Sequence, residues 1–309
     1  MLQKLDTEEI LKEVPGFKKQ AYSVSRGVHD WVLKGGESRR KAADLLHGTW
    51  LGHPLHSVMT DMTMGAWVFG FVLDLLSLPS RSRGLQRSAD TLLNIGNASA
   101  TTTALAGLAD YSTIPDRAVA TGATHALLNT MVLGLSLSSA VLRKNGKRGS
   151  GILLSSISSS ILLVSAWLGG ELAYRYKVGV NKSTKPDEMG TWYATIPDQD
   201  LPEMTPKRVE VAGAPVLLYR YHGQVYAIGA VCGHDGGALE EGTFEGYCVT
   251  CPLHQSVFDL RDGSVVHGPS TYAEPQYEVQ VRQGTLHVRM AESPAAKQTA
   301  QLAGQRGQA

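Results

Sequence analysis

Hydrophobic residues are distributed differently in two parts of the chain. Between about His56 and Tyr176, four long stretches contain few charged residues and are separated by short polar segments. From about Thr191 to Met290, short runs alternate apolar and polar positions and are interrupted by Gly and Pro. Long apolar stretches are typical of membrane helices, and period-two alternation is typical of half-buried strands. The pattern predicts two domains of different class, a helical one followed by an all-β one.

Each of the four apolar stretches is long enough to cross about 30 Å of hydrocarbon as a helix. Gly, Ala, Ser and Thr are abundant in them, as in membrane helices that pack closely. A soluble four-helix bundle is the alternative, but soluble helices have a charged face, which the last two stretches lack. The second stretch, with two Asn and several Thr, fits a membrane span least well. The stretches are residues 56–80, 89–110, 124–142 and 151–170.

An up-and-down bundle brings the starts of its odd helices and the ends of its even helices to one membrane face. This face would collect His53, His56 and His125. Ionisable residues at membrane depth are energetically unfavourable and favour a functional site, here one for haem, a metal or a quinone. Alternatively, these ionisable residues only cap helices or pair with one another. The same face would carry Asp61, Asp110 and Glu171.

Loop charge does not decide the orientation of this bundle, because Lys and Arg are nearly equal on its two sides. The N-terminal sequence MLQKLDTEEILKEVPGFKKQ lacks the apolar region of a secretory signal. We therefore expect a multi-pass membrane protein whose termini, and with them the β-rich domain, lie in the cytoplasm.

The overall charge bears on partners, and the composition shifts bear on domain boundaries. The 309 residues include 29 basic and 28 acidic ones, so the net charge of +1 provides no basic field for nucleic acid. A length of this size suits two domains. The expected segments are a polar N-terminal segment, a four-helix membrane domain, a linker, a β-rich domain and a disordered tail, at residues 1–43, 44–176, 177–190, 191–290 and 291–309.

Eight strand-length runs follow residue 207, and turn residues separate them. The turns include His222-Gly223, Asp262-Gly263 and Gln283-Gly284, and such Gly-containing pairs are typical of tight hairpins. These runs predict an antiparallel sandwich or a partly open barrel.

Two mixed pairs of Cys and His lie on loops of this domain. Cys232 and His234 follow one strand, and Cys251 and His254 lie between two later strands, with sixteen residues between His234 and Cys251. Zinc fingers usually keep cysteines in one pair and histidines in the other, and a nucleophilic cysteine would leave one pair unexplained. A [2Fe–2S] cluster with two Cys on one iron and two His on the other needs mixed pairs, because each loop spans both irons. The pattern favours this cluster, with zinc as the alternative. The third thiol, Cys248, is either a spare ligand or a small buried hydrophobe.

The sequence around both pairs resembles the Rieske family. The similarity runs through TWYATIPDQDLPE, GQVYAIGAVCGHDGGALEEG, CPLHQSVFDLRDGSV and the HGPS loop, over about residues 191–290. The resemblance implies a [2Fe–2S] cluster held by Cys232, His234, Cys251 and His254 and a ferredoxin-like role in passing single electrons to redox partner proteins.

Four positions near the pairs bear on the reduction potential that the resemblance implies. Gly237 and Leu253 stand where the cytochrome bc-type branch of the Rieske family has two disulfide-forming cysteines. Ser256 matches a serine that hydrogen-bonds a cluster sulfur in that branch, whereas Phe258 stands where a tyrosine is frequent. Hydrogen bonds to the sulfurs raise the potential of such clusters. We therefore expect a reduction potential below that of quinol-oxidising Rieske proteins and closer to that of dioxygenase ferredoxins.

The helical half has a resemblance of its own. DLLHGTWLGHPLHSVMTDMTMGAW and WLGGELAYRYKVGV are similar to an uncharacterised four-helix bacterial membrane family, over about residues 40–180. This family implies a topology in a bacterial cell membrane and no chemistry. After Thr191 the other histidines, His222, His267 and His287, form no two-His-one-carboxylate set for a mononuclear iron, so an electron carrier or oxidoreductase component is favoured over a stand-alone enzyme. The alternative is a membrane oxidoreductase that passes electrons between the cluster and a haem or quinone near His53, His56 and His125.

Overall fold

A computed structural model describes residues 14–186 and 190–291. The chain divides into two compact units, Met1–Val180 and Asn181–Ala309. The tail expected at residues 291–309 lies, except for its first residue, outside the described residues, as do the first thirteen residues of the expected polar segment.

Within residues 14–180, the first unit contains six α-helices. Four of them correspond to the predicted apolar stretches, and the first two fall largely in the segment expected to be only polar. The first helix packs through small residues, since the Tyr111 hydroxyl donates to the carbonyl of Ala21 at 2.8 Å and Ser25 Oγ donates to that of Tyr111 at 2.9 Å. The helices are α1 Phe17–Lys34, α2 Gly36–His47, α3 Leu55–Ser80, α4 Arg83–Ser112, α5 Val119–Lys144 and α6 Arg148–Gly170.

Three helical segments in the described part of the chain are long and apolar enough to cross a membrane. They are Leu55–Ser80, Val119–Lys144 and Arg148–Arg175. Helix α4 is more polar than these three segments, and several of its polar side chains form hydrogen bonds with α3. Ser99 Oγ lies 2.8 Å from Thr63 Oγ1, and Asn97 Oδ1 accepts a bond of 3.1 Å from the indole of Trp67. The polar residues of α4 are therefore used in helix packing.

A network of buried charges joins the four long helices. The Asp74 side chain of α3 is 2% exposed, and both Arg143 of α5 and Arg148 of α6 bind its carboxylate, at 2.5 and 2.8 Å. The same two arginines bind Asp90 of α4, at 3.0 and 2.8 Å. Two cations and two anions neutralise each other, which is the condition for burying charges without a large loss of stability.

In residues 181–186 and 190–291, the second unit forms ten short strands in two antiparallel sheets. The larger sheet has the order β1-β10-β9-β4-β3-β2, and the smaller has the order β5-β6-β7-β8. Eight strands match the predicted runs, and β1 and β5 were not predicted. The strands are β1 Tyr193–Pro197, β2 Lys207–Val211, β3 Ala214–Tyr221, β4 Gln224–Gly229, β5 Thr243–Glu245, β6 Cys248–Thr250, β7 Val257–Asp259, β8 Val265–His267, β9 Gln276–Arg282 and β10 Thr285–Met290.

Two of the three predicted turns are two-residue hairpin turns, whereas Asp262-Gly263 lies in the longer turn between β7 and β8, where Gly263 has φ of 75°. His222 and Gly223 have φ values of 53° and 75°, and Gln283 and Gly284 have values of 50° and 77°. Two successive left-handed residues match the twist of the flanking strands. The hydrophobic core between the sheets includes Cys232 among its buried residues. The sandwich thus places a thiol at the edge of a dry core.

Candidate metal centre

The first loop follows β4 and turns back on itself. The N–H of Cys232 donates to the carbonyl of Gly237 at 2.9 Å, and the N–H of Gly236 donates to the carbonyl of Cys232 at 2.9 Å. Gly236 has φ of 78°, in the left-handed region. These bonds bury Cys232, which is 1% exposed, and leave His234 half-buried.

The second loop connects β6 and β7. The N–H of Cys251 donates to the carbonyl of Ser256 at 2.8 Å, and the N–H of Gln255 donates to the carbonyl of Cys251 at 3.2 Å. Gln255 closes this turn with φ of 64°, a conformation that favours glycine. Cys251 is 2% exposed and His254 is 8% exposed. Each loop therefore presents one buried thiol and one imidazole.

The thiols of the two loops meet. Cys251 accepts a hydrogen bond from the Cys232 thiol and backbone N–H bonds from Leu253 and His254, and these bonds lower the pKa of Cys251 to about 7. The bond between the thiols, and then burial, raise the pKa of Cys232 above its ordinary value. Both cysteines are free. Of the two thiols, Cys251 therefore loses its proton more readily.

The two imidazoles meet as well. The ring centroids of His234 and His254 are 4.9 Å apart, and the ring planes are almost perpendicular, at 84°. The two loops thus bring together the four side chains that the spacing predicted, with the thiols more deeply buried than the imidazole of His234. The imidazoles form the outer edge of the arrangement.

This donor set fits a binuclear cluster. Two thiols and two imidazoles are the protein ligands of a Rieske centre, in which each iron takes only two of them. Among the described residues, no three His, Cys, Asp or Glu side chains converge to hold a single metal ion. A Cβ atom on Gly237 would lie 2.7 Å from Cys251 Sγ, so glycine keeps the space beside this sulfur free. The same Cβ would lie 3.1 Å from Leu253 Cγ, which places the two positions of the absent disulfide side by side.

Ser256 and Phe258 lie behind the second loop and are fully buried. Ser256 Oγ accepts a bond of 3.0 Å from the N–H of Ser270, in the HGPS segment. Because the serine oxygen is the acceptor there, its proton is available for a second bond. Phe258 belongs to the hydrophobic core and has no hydroxyl to donate.

Glu274 is a residue of this site that the sequence analysis missed. It is 2% exposed, and its Oε1 accepts a bond of 2.7 Å from the N–H of Gly233, which lies between two of the predicted ligands. Burial raises the pKa of Glu274 to about 8. No motif marks this acid, since it lies between the HGPS segment and β9, far from both loops in sequence.

Cys248 lies outside the centre. It begins β6, is half-buried and pairs in register with Asp259 of β7. Burial raises the pKa of its thiol. Cys248 is therefore not brought to the two loops as a spare ligand, and it is less buried than the interpretation as a buried hydrophobe predicts.

The histidines of the helical unit are only partly brought together. The rings of His56 and His125 have centroids 6.4 Å apart and planes at 83°. His56 Nδ1 lies 3.0 Å from the carbonyl oxygen of Thr103, and His125 Nδ1 lies 2.9 Å from that of Ser165. His53 is exposed at the bend before α3.

Two of the three acids predicted at the same face have partners within the helical unit. Asp110 Oδ1 lies 2.8 Å from Nδ1 of the buried His47, which the sequence analysis did not single out. Glu171 binds Arg175 at 3.2 Å, and Asp61 is exposed. The structure therefore supports a pairing role for two of the three acids.

Comparison with known families divides the chain in the same way. Residues 191–280 match the Rieske [2Fe-2S] domain, and residues 52–182 match a family described as predicted membrane protein (DUF2231). Each match covers less than half of the chain.

The β-rich part is similar to ferredoxins. Ferredoxin CarAc of Metapseudomonas resinovorans is 33% identical over 98 residues, which are 31% of this chain and 92% of the relative. The ferredoxin component of naphthalene 1,2-dioxygenase/salicylate 5-hydroxylase systems of Ralstonia sp. is 32% identical over 29% of this chain and 88% of the relative.

A solved structure is also similar. The ferredoxin of carbazole 1,9a-dioxygenase from Nocardioides aromaticivorans IC177 is 28% identical, and the match covers 33% of this chain and all of that one, with a TM-score of 0.32. The donor set, the two loops that carry it and the ferredoxin relatives of known sequence all point to the same family. Through residues 191–280 the chain belongs to the Rieske [2Fe–2S] family, and it joins this domain to a predicted membrane protein domain, DUF2231, at residues 52–182.

Proposed function

We propose that this protein is a membrane-anchored Rieske-type electron carrier that passes single electrons between partner proteins. The observation that carries the proposal is the meeting of the two loops, which pair the thiols of Cys232 and Cys251 and set the imidazoles of His234 and His254 at 4.9 Å. A [2Fe–2S] cluster bound by these four residues supplies one-electron chemistry.

The chain's own residues have separate tasks in this role. The two cysteines bind from the dry core, and the backbone N–H groups of Leu253 and His254 stabilise the charge on the Cys251 sulfur. The imidazoles provide the outer edge, where an electron would leave or arrive. Leu253, 48% exposed beside them, offers an apolar contact for a docking protein. The ferredoxin relatives belong to dioxygenase systems, which suggests an oxygenase as such a partner.

The anchoring part of the proposal rests on the three apolar helical segments and on the DUF2231 match. We further propose that the Rieske domain lies on the cytoplasmic side of the membrane. Recovery of the protein in the membrane pellet after an alkaline wash tests the anchoring. Fluorescence of a reporter that folds only in the cytoplasm, fused after the last residue, tests the orientation.

Spectroscopy of the full-length protein in detergent tests the cluster. We expect two irons and two sulfides per chain, a visible absorption band and an electron paramagnetic resonance signal of low average g value after reduction. Cys251→Ser should abolish all of these, whereas Cys248→Ser, which removes a half-buried thiol outside the centre, should leave them unchanged. One zinc per chain and no visible band would refute the proposal.

A second candidate is a membrane oxidoreductase in which the helical unit also holds a haem or quinone. The observation that favours it is the approach of His56 and His125, whose rings are 6.4 Å apart. Neutral imidazoles could bind haem iron or hydrogen-bond a quinone. Asn129 Nδ2, however, lies 3.0 Å from His125 Nε2, so a ligand there would have to displace this amide. Haem absorbance or extractable quinone lost in His125→Ala and kept in His53→Ala would support this function, and their absence from the wild type would exclude it.

A further inference from the structure

The chain enters the second unit through a segment that lies against the first loop. The N–H of Lys182 donates to the carbonyl of Gly233 at 2.9 Å. Lys182 Nζ binds the carboxylate of Asp235 and lies 3.5 Å from the carbonyl oxygen of His234. Lys182 lies outside residues 191–280, which form the family match. The loop is therefore bound by residues that precede the Rieske domain itself.

Gly233 is enclosed by these contacts. A Cβ atom at this position would lie 2.7 Å from Asn181 Oδ1 and 3.5 Å from Glu274 Oε1. Asn181 is itself held, because its Oδ1 accepts a bond of 2.9 Å from the N–H of Ser183. The residue between two predicted ligands thus donates to Glu274 and accepts from Lys182. Its position depends on both.

The charges of Lys182 and Asp235 are paired in a poorly hydrated place. The side chain of Lys182 is 18% exposed and that of Asp235 is 10% exposed. Solvent screens such a pair less than it screens surface charges. Each charge alone would therefore act on the neighbouring centre, whereas together they largely cancel.

The geometry points to Lys182 as a positioning residue that sets the reduction potential of the cluster, both by neutralising Asp235 and by holding the backbone at Gly233. This inference rests on the proposed function. It assigns to the segment Asn181–Ser183 a role in electron transfer in addition to connecting the two units.

The two partners should act in opposite directions. Reduction adds a negative charge to the cluster, so an uncompensated Asp235 carboxylate disfavours reduction and an uncompensated Lys182 ammonium favours it. A unit charge about 10 Å away at an effective dielectric constant near 20 changes the equilibrium constant for reduction on the order of tenfold. Lys182→Met should lower the potential, Asp235→Asn should raise it, and the double variant should return close to the wild type.

The experiment is a redox titration of the full-length protein in detergent, followed by the visible band and the resonance signal of the reduced cluster. Lys185→Met provides the matched control, since it removes the same charge from an exposed position three residues further along the chain and should not change the potential. Lys182→Arg keeps the charge and should stay close to the wild type. Iron and sulfide contents identify variants that still bind the cluster.

The potentials and the cluster contents of these variants decide the matter. Opposite shifts in the single variants and restoration in the double variant support the inference. Shifts in the same direction indicate loosening of the loop alone and overturn it, as do unchanged potentials in variants with full iron content. If Lys182→Met loses the cluster, an Asp235→Asn variant with a raised potential still supports the charge effect, and one with an unchanged potential overturns it. A wild type without iron and sulfide overturns the proposed function itself.

Discussion

Replacing Glu274 by Gln should change the dependence of stability on pH. The carboxyl of Glu274 is 2% exposed, and burial raises its pKa from 4.5 to about 8. Between these two values the folded protein retains a proton that the unfolded chain releases, so stability falls as the pH rises. Below pH 4.5 this loss is absent, and above pH 8 it is complete. Its total is about 5 kcal/mol, at about 1.4 kcal/mol per tenfold change in proton affinity, for a pKa that moves from 4.5 to about 8.

Chemical denaturation of the full-length protein in detergent, followed by loss of the visible cluster band, measures this effect at several pH values from 4.5 to 8. Glu274→Gln keeps an oxygen that can accept the bond from Gly233 and removes the titration, so its stability should vary much less over this window. Glu278→Gln is the control, because its side chain is 38% exposed. Parallel profiles for the wild type and Glu274→Gln would refute the reasoning.

Three further substitutions test other parts of the structure. Ser256→Ala removes a buried hydroxyl whose proton is available to the cluster, and we expect the reduction potential, measured by redox titration, to fall by about 60–120 mV, the value of one charge-assisted hydrogen bond. Asp74→Asn leaves Arg143 buried without one of its carboxylates and should destabilise the helical unit by about 3–5 kcal/mol, measured by thermal denaturation in detergent. Asp90→Asn is the control, because the Asp90 side chain is 37% exposed, and it should lower the stability of the helical unit less. Gly237→Ala places a methyl group 2.7 Å from a ligand sulfur, so the iron and sulfide content should fall.

For each of these substitutions, one outcome would contradict the prediction. An unchanged potential in Ser256→Ala would mean that the serine proton is directed away from the cluster. Equal denaturation temperatures for Asp74→Asn and the wild type would show that the network contributes no stability. Full iron and sulfide content in Gly237→Ala would show that the first loop can move away from Cys251.

The candidate site was predictable because local patterns encode it. Two loops at strand ends, each with one Cys and one His, need only the sheet to bring them together. The hairpin turns at His222-Gly223 and Gln283-Gly284 were recognisable from their residues, and these turns set the register of the strands. Such features depend on neighbours in sequence, which a single sequence shows.

What remained hidden depends on contacts distant in sequence. Glu274 and Lys182 are ordinary charged residues whose importance comes from Gly233, 41 and 51 positions away. Strand β5 has three residues, too few for a periodic pattern. The helices α1 and α2 escaped prediction because their charged residues obscure the small side chains, such as Ala21, that pack against the bundle.

The buried charge network has a consequence for how the helical unit assembles. Both anions, Asp74 and Asp90, lie on the hairpin of α3 and α4, and both cations, Arg143 and Arg148, lie on the hairpin of α5 and α6. During synthesis, therefore, the first hairpin carries two carboxylates without their arginine partners until the second hairpin has been made. The opposite charges attract the two hairpins to each other, and an unpaired charge on either hairpin is unfavourable in lipid. We therefore expect these ion pairs to help the two hairpins associate, so the hairpins should copurify when they are expressed as separate polypeptides.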